Sequence, residues 1–127
     1  MSERALVGDT FDRLEQATAG NKETLVELCR DYISEARSTI ANLRDALAED
    51  DAERLRDRAH YLKGSSMMLG AHTLSQHCAA LEQLGRDRKV RDAGSALQEA
   101  IVALHAVEAE LAERLGSTVI PAENSAV

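Results

Sequence analysis

The segment His60-Tyr61-Leu62-Lys63-Gly64 sets an imidazole, an ammonium three residues on and a glycine four residues on into one helical-looking stretch. At about 100° per residue, Leu55, Ala59, Leu62, Ser66 and Leu69 fall on a single stripe, the pattern of a helix face that packs on a core. His60, Gly64 and Met67 lie well away from that stripe, with Arg56 and Lys63 flanking them on one side and Glu53 and Asp57 on the other. His60 therefore points at solvent. A neutral exposed imidazole is a nucleophile at cellular pH, and a lysine one turn along can neutralise an anion carried on its ring nitrogen. Helical side chains lean towards the N-terminus, so any side chain at position 64 would lie against the ring of residue 60. Glycine removes that obstruction. In a helix interior it costs roughly 0.5 to 1 kcal/mol relative to alanine, which a site approached closely by something large would justify. The chemistry these residues suit is phosphoryl transfer.

The wider pattern of His60-x-x-Lys63-Gly64-Ser65-Ser66, then Leu69-Gly70-Ala71, Leu74, Cys78 and Leu81-Glu82, resembles the histidine-containing phosphotransfer (HPt) domain of multistep two-component relays. The resemblance implies a helical bundle in which His60 accepts a phosphoryl group from the aspartate of a receiver domain and passes it to another receiver. By the same analogy the acceptor atom is Nε2, and the partners are response-regulator receivers and a hybrid sensor histidine kinase. The chain offers a nucleophile, one cation and an open approach. It has no carboxylate cluster for a divalent cation and no phosphate-cradling glycine loop. No intrinsic cofactor or metal is therefore expected; Mg²⁺ should arrive on the receiver, and the protein should have no ATP-dependent kinase activity of its own.

Around that nucleus Arg56, Asp57, Met67 and Met68 are candidates for contact with a partner, and Asp57, one turn before His60, is a candidate to orient its ring. For Met67 and Met68, core packing and docking surface weigh evenly, because both lie off the main stripe. Ser66 sits on the stripe and reads as a small residue permitting close packing; Ser65 is open to either reading. His72 and His77 are five residues apart, the wrong spacing for two ligands on one helical face. Cys29 and Cys78 each fall on an apolar stripe and read as small buried hydrophobes. Two other functions remain in view: a helical adaptor that binds receivers through the same face without transferring phosphate, and a bundle that holds a metal. The second would need inward-facing Glu-x-x-His patterns, which the helices lack.

The elements that must position these groups follow from periodicity. With 127 residues, 44% of them hydrophobic and 29% charged, the chain is globular and of one-domain size, and a single proline with 2% aromatic residues points to long Ala- and Leu-rich helices. The fold class expected is all-α. A net charge of −7 speaks against non-specific nucleic-acid binding. No apolar run approaches the roughly 18 residues of a membrane span, and no secretory leader opens the sequence, so a cytoplasmic protein is expected; a monomer is the expected state.

A short helix carrying Val7, Phe11 and Leu14 should be capped by Asp9 or Thr10 and end near Gly20. A long helix should run from Asn21 to about Glu49 with Leu25, Cys29, Tyr32, Ala36, Leu43 and Leu47 inward. The helix bearing His60 should start from Asp50-x-x-Glu53 and stop at Gly70. The next holds Leu74, Cys78 and Leu81, with Thr73-x-x-Gln76 as its capping box or one turn inside it. After a basic connection from Gly85 to Arg91, a last helix carries Ala93, Leu97, Ile101, Leu104, Leu111 and Leu115 to Gly116. The expected architecture is an antiparallel up-and-down four-helix bundle over residues 1–116, with the short first helix covering one end and residues 117–127 as a disordered tail.

Overall fold

The computed structural model describes residues 5–6, 8–18 and 20–122. Helix α1 spans Gly8–Ala17, α2 Lys22–Ala48, α3 Ala52–Leu69, α4 His72–Arg86 and α5 Gly94–Leu115, with 3-10 turns at Val90–Asp92 and Ser117–Val119. Each of the four long helices packs on two others, α2 on α3, α3 on α4, α4 on α5 and α5 back on α2, which closes the bundle around one core. The expected fold class holds. Val7 and the side chain of Asp9 lie outside the described residues. Thr10 does not cap α1, because it lies inside the helix.

Local chemistry sets the helix ends. The Asn21 side chain accepts a hydrogen bond from the Thr24 amide at 3.1 Å and caps α2. α3 starts one residue later than Asp50-x-x-Glu53 suggests: Asp50 takes the left-handed conformation, with φ of 55°, and Asp51 is the cap, accepting from the Arg54 amide at 3.0 Å. Gly70 closes α3 with φ of 95°, a conformation glycine adopts without a Cβ penalty, and Ser66 O accepts from the amides of both Gly70 and Ala71. The capping box expected at Thr73-x-x-Gln76 is absent; α4 begins at His72 behind a buried Ala71 that offers no side-chain cap. Burying that small residue lets the chain turn from α3 into α4 within two positions, Gly70 and Ala71.

Packing corrects the inward face assigned to α2. Ile33 and Ile40 are wholly buried, whereas Tyr32 and Leu47 are only partly covered and rim the core. Tyr32 is the larger surprise, since its hydroxyl shares a 2.7 Å hydrogen bond with the buried Ser66 Oγ and so ties α2 to α3. Ser66 thus does more than permit close packing. Arg37 and Glu108 join α2 to α5 through two 3.0 Å hydrogen bonds in a fork, the geometry in which Arg–carboxylate pairs are strongest.

The described segments before α1 and after α5 are fastened to this frame. The amides of Ala5 and Leu6 donate to Glu110 Oε1 at 3.0 and 3.3 Å, Leu6 and Phe11 are buried, and the Arg114 guanidinium stands 4.9 Å from the Phe11 ring centroid. At the other end, the stretch after Gly116 is not all loose tail. Val119 is fully buried and Arg30 donates to Thr118 O at 2.7 and 3.0 Å, because an apolar side chain shortly past the helix still has core left to cover. Residues 123–127 lie outside the described part.

The contact that matters most for the site is between α3 and α4. α4 extends through Gly85, which the sequence suggested as the start of a connection. A Cβ built on Gly85 would stand 2.7 Å from the Arg56 amide nitrogen and 2.9 Å from Ala52 O, so the backbones of the two helices meet there. That approach brings Glu82 and Arg86, on the same part of α4, up to the His60 face of α3. Among the described residues no helix is long and apolar enough to cross a membrane.

Candidate functional site

His60 stands in the middle of α3, its side chain 66% exposed, on the face opposite Leu55, Ala59, Leu62 and Leu69, all of which are buried. The orientation expected from periodicity is the one found. What the periodicity did not assign is the partner of the ring. His60 Nδ1 lies 3.0 Å from Glu82 Oε2 of α4, and the Glu82 side chain is only 5% exposed.

Glu82 gathers three basic side chains. Lys63 Nζ is 2.7 Å from Oε1, and Arg86 donates to Oε2 at 2.8 Å alongside the imidazole. Burial on its own would raise this carboxyl, but the Lys63 ammonium and the His60 imidazole outweigh it and hold Glu82 below the usual carboxylate range. An ionised carboxylate can only accept, so the hydrogen of the neutral His60 ring must sit on Nδ1. The lone pair is then on Nε2, the ring nitrogen that Glu82 does not engage. A fixed tautomer on a rigid helix makes Nε2 a pre-oriented nucleophile.

Lys63 and Asp57 each hold a partner that the sequence expectations do not include. The Lys63 ammonium rests on Glu82 and its side chain is 30% exposed, so in this state it braces the carboxylate that braces the ring. Asp57 does not orient His60. It pairs with its neighbour Arg56 at 3.1 Å, and the ring nitrogen Nδ1 is taken by Glu82 instead.

Gly64 is exposed, and a Cβ there would meet nothing within 4 Å. Close packing within this chain therefore does not account for the glycine. The helix surface beside His60 is left bare, one turn from the nucleophile.

Met67 and Met68 are 53% and 80% exposed, which settles them as surface rather than core. Beyond Met68 runs a largely apolar groove of about 330 Å³, its walls formed by Leu14, Leu28, Tyr32, Tyr61, Met68 and Leu69 from α1, α2 and α3. On the other side of Tyr61 is a polar recess of about 500 Å³ that contains His60 and is lined by Arg56, Asp57, Arg58, Glu82 and Arg86. A larger hollow of about 620 Å³ near the start of α3, bounded by Asn42, Asp51 and Arg54, does not include His60. Tyr61 divides the apolar groove from the polar recess. Its hydroxyl donates to Glu35 Oε1 at 2.9 Å, Arg58 lies 5.1 Å from its ring centroid, and the Glu35 carboxylate that accepts its hydrogen raises the phenol above its ordinary value.

Of the residues singled out from sequence, the structure groups His60, Lys63, Gly64, Arg56 and Asp57 on one face, with Met67 and Met68 further along the same helix. Glu82 belongs to the family-like pattern, yet spacing along the chain assigns it no task. One signal was present: Cys78, Glu82 and Gly85 are spaced four and three apart, so a carboxylate sits on the buried stripe of α4, and a buried carboxylate needs cationic partners. Arg86, read as part of a basic connection, is one of them.

Comparison with known proteins agrees with this fold. The Hpt domain family model matches residues 27–116. Multistep phosphorelay regulator 1 of Schizosaccharomyces pombe is 34% identical over 80 residues, an alignment that covers 63% of this chain and 27% of that protein. The chain thus spans well under half the length of this curated relative. The crystal structure of histidine-containing phosphotransfer protein B (HptB) from Pseudomonas aeruginosa PAO1 superposes with a TM-score of 0.82 at 22% identity, covering 90% of this chain and 96% of the other. At that identity the likeness speaks for the fold.

Proposed function

The chain belongs to the Hpt domain family, and from that premise we propose that it is a phosphorelay intermediate whose phosphoacceptor is His60 Nε2. The observation that carries the residue assignment is the exposed imidazole tied at Nδ1 to the buried Glu82. Nε2 attacks the phosphorus of a receiver's aspartyl phosphate, the N–P bond forms as the P–O bond breaks, and the electron pair leaves on the receiver's carboxylate. Transfer to a second receiver is the reverse reaction. Such chemistry depends on positioning and charge rather than on an unusual nucleophile. This chain supplies the positioned nucleophile, the Lys63 and Arg86 cations and a bare approach over Gly64. The receiver supplies its aspartate and Mg²⁺.

The partners that suit this surface are receiver domains of response regulators and of a hybrid sensor histidine kinase. Arg56, Met67 and Met68 are placed to touch them beside the nucleophile. The protein works as a monomer in the cytoplasm and draws no phosphate from ATP directly.

The test is to mix the protein with a phosphorylated receiver and follow label onto it. Label that is acid-labile and base-stable, and that is absent from His60→Gln, supports the assignment; label retained in that variant overturns it.

A further inference from the structure

We propose that Glu82 keeps the phosphorylated ring of His60 protonated at Nδ1, so that the phosphoryl group can be received and given up without any proton entering or leaving the site. The proposal rests on the relay reading above and concerns the fate of the phosphohistidine rather than its formation.

When the Nε2 lone pair forms the N–P bond, the Nδ1 proton has no reason to move unless the ring is free to shed it. The ring then carries a positive charge. A phosphoryl group leaves such a ring readily, because the departing nitrogen base is neutral imidazole; if Nδ1 has lost its proton, the leaving group is an imidazolate anion and the N–P bond is far more persistent. Whatever holds that proton therefore sets how transferable the phosphoryl group is.

The geometry assigns this task to one carboxylate. Glu82 Oε2 is 3.0 Å from Nδ1, on the ring edge opposite the reacting nitrogen, and its side chain is shielded from water while the imidazole is open to it. A carboxylate in that position attracts a ring cation and opposes its deprotonation. The other charged groups facing the ring are Arg56, Asp57 and Lys63 on α3, with Arg58 and Tyr61 at the recess wall, and Arg86 beside Glu82 on α4. Before transfer, the cluster of Glu82, Lys63, Arg86 and neutral His60 carries one excess positive charge. After transfer, a phosphoryl group of about −2 charge and a ring cation bring that cluster close to neutral. Loss of the Nδ1 proton would instead leave uncompensated negative charge around a buried carboxylate.

The experiment uses protein phosphorylated chemically with potassium phosphoramidate, so that loading needs no receiver, and follows Nδ1 of the phosphohistidine by ¹⁵N NMR across pH. In Glu82→Gln, whose amide oxygen can still accept the hydrogen bond, the proton should be lost about one pH unit lower than in the wild type. In Arg86→Gln, which removes a competitor for the carboxylate from an exposed position, it should be held to higher pH. Transfer from the loaded protein to a receiver should correspondingly slow on going from pH 6 to pH 8 much more in Glu82→Gln than in the wild type. Opposite shifts in the two variants support the proposal, since a loosened structure would not produce them. Coincident titrations of wild type and Glu82→Gln overturn it; should that variant fail to fold, an unmoved titration in Arg86→Gln does so. If the wild type takes no label from a phosphorylated receiver while the chemically loaded variants shift as described, it is the relay reading that fails and not this one.

Discussion

The ammonium of Lys63 lies 2.7 Å from Oε1 of Glu82, so the cation next to the nucleophile is engaged with a carboxylate before any phosphoryl group arrives. Its placement links two tasks that sequence spacing alone would separate: neutralising an incoming anion and keeping Glu82 ionised. Both depend on α3 and α4 touching where Gly85 permits it.

Glu82 makes stability depend on pH in the acid range. Its carboxyl is held below the ordinary value of 4.5, despite burial, by Lys63 and His60. The folded state therefore binds this proton less readily than the unfolded chain. The stability Glu82 contributes is fully present above that ordinary value and is lost as pH falls through the lower folded-state value. Urea denaturation of the wild type should weaken over this window more steeply than that of Glu82→Gln. Equal acid slopes would show that the carboxylate is not stabilised in the folded state.

Gly64→Ala should separate folding from function. A methyl group there meets nothing in this chain, and alanine favours an interior helical position by about 1 kcal/mol. The variant should be slightly more resistant to urea, yet accept phosphate from a receiver at least ~10-fold more slowly, a loss of the size expected when reacting groups are displaced by a fraction of a bond length. Unchanged transfer would mean that no partner closes over this position.

Gly85→Ala should do the reverse. Its Cβ would have to displace backbone atoms of α3, for which overpacking values of roughly 1 to 3 kcal/mol are the guide. Denaturation should register that loss, and the His60–Glu82 hydrogen bond should lengthen as α4 is pushed away. The imidazole NMR signals report this directly. A variant with wild-type stability and wild-type imidazole signals would show that the two backbones can part without consequence.

Cys29 and Cys78 should be inert in the folded protein. Both are fully buried, and burial pushes their thiols up to about 11 and about 12 respectively. Thiolate is the reactive form, so neither should react with a disulfide reagent at pH 8 until urea unfolds the chain. Rapid modification without denaturant would contradict the packing of α2 and α4.

Much of this molecule is legible from residue types and spacing, for identifiable reasons. The exposure of His60 is readable because α3 has a one-sided apolar stripe, and Gly70 because a left-handed closure of the helix suits glycine best. The start of α3 was missed by one residue because Asp50 and Asp51 are both adequate caps, and only the backbone decides which of them turns. Glu82 escaped assignment because its partners are on another helix, and the phase of one helix against another is not written in either. The same holds for Tyr32, whose bond to Ser66 pulls an otherwise amphipathic side chain to the core rim. Val119 is not legible as core because the few residues past a helix carry no periodicity to read.

The two-residue link between α3 and α4 has a kinetic consequence. His60 and Glu82 are separated by only 22 positions along the chain, within a single helical hairpin. Contacts so near in sequence require little loop-closure entropy, and hairpins of this kind belong to the fast, low-contact-order end of folding. The imidazole and its carboxylate can thus find each other before α1 or the segment after α5 has docked. Opening the chain in the connection between α4 and α5 and joining its ends elsewhere would leave that pairing on one uninterrupted segment.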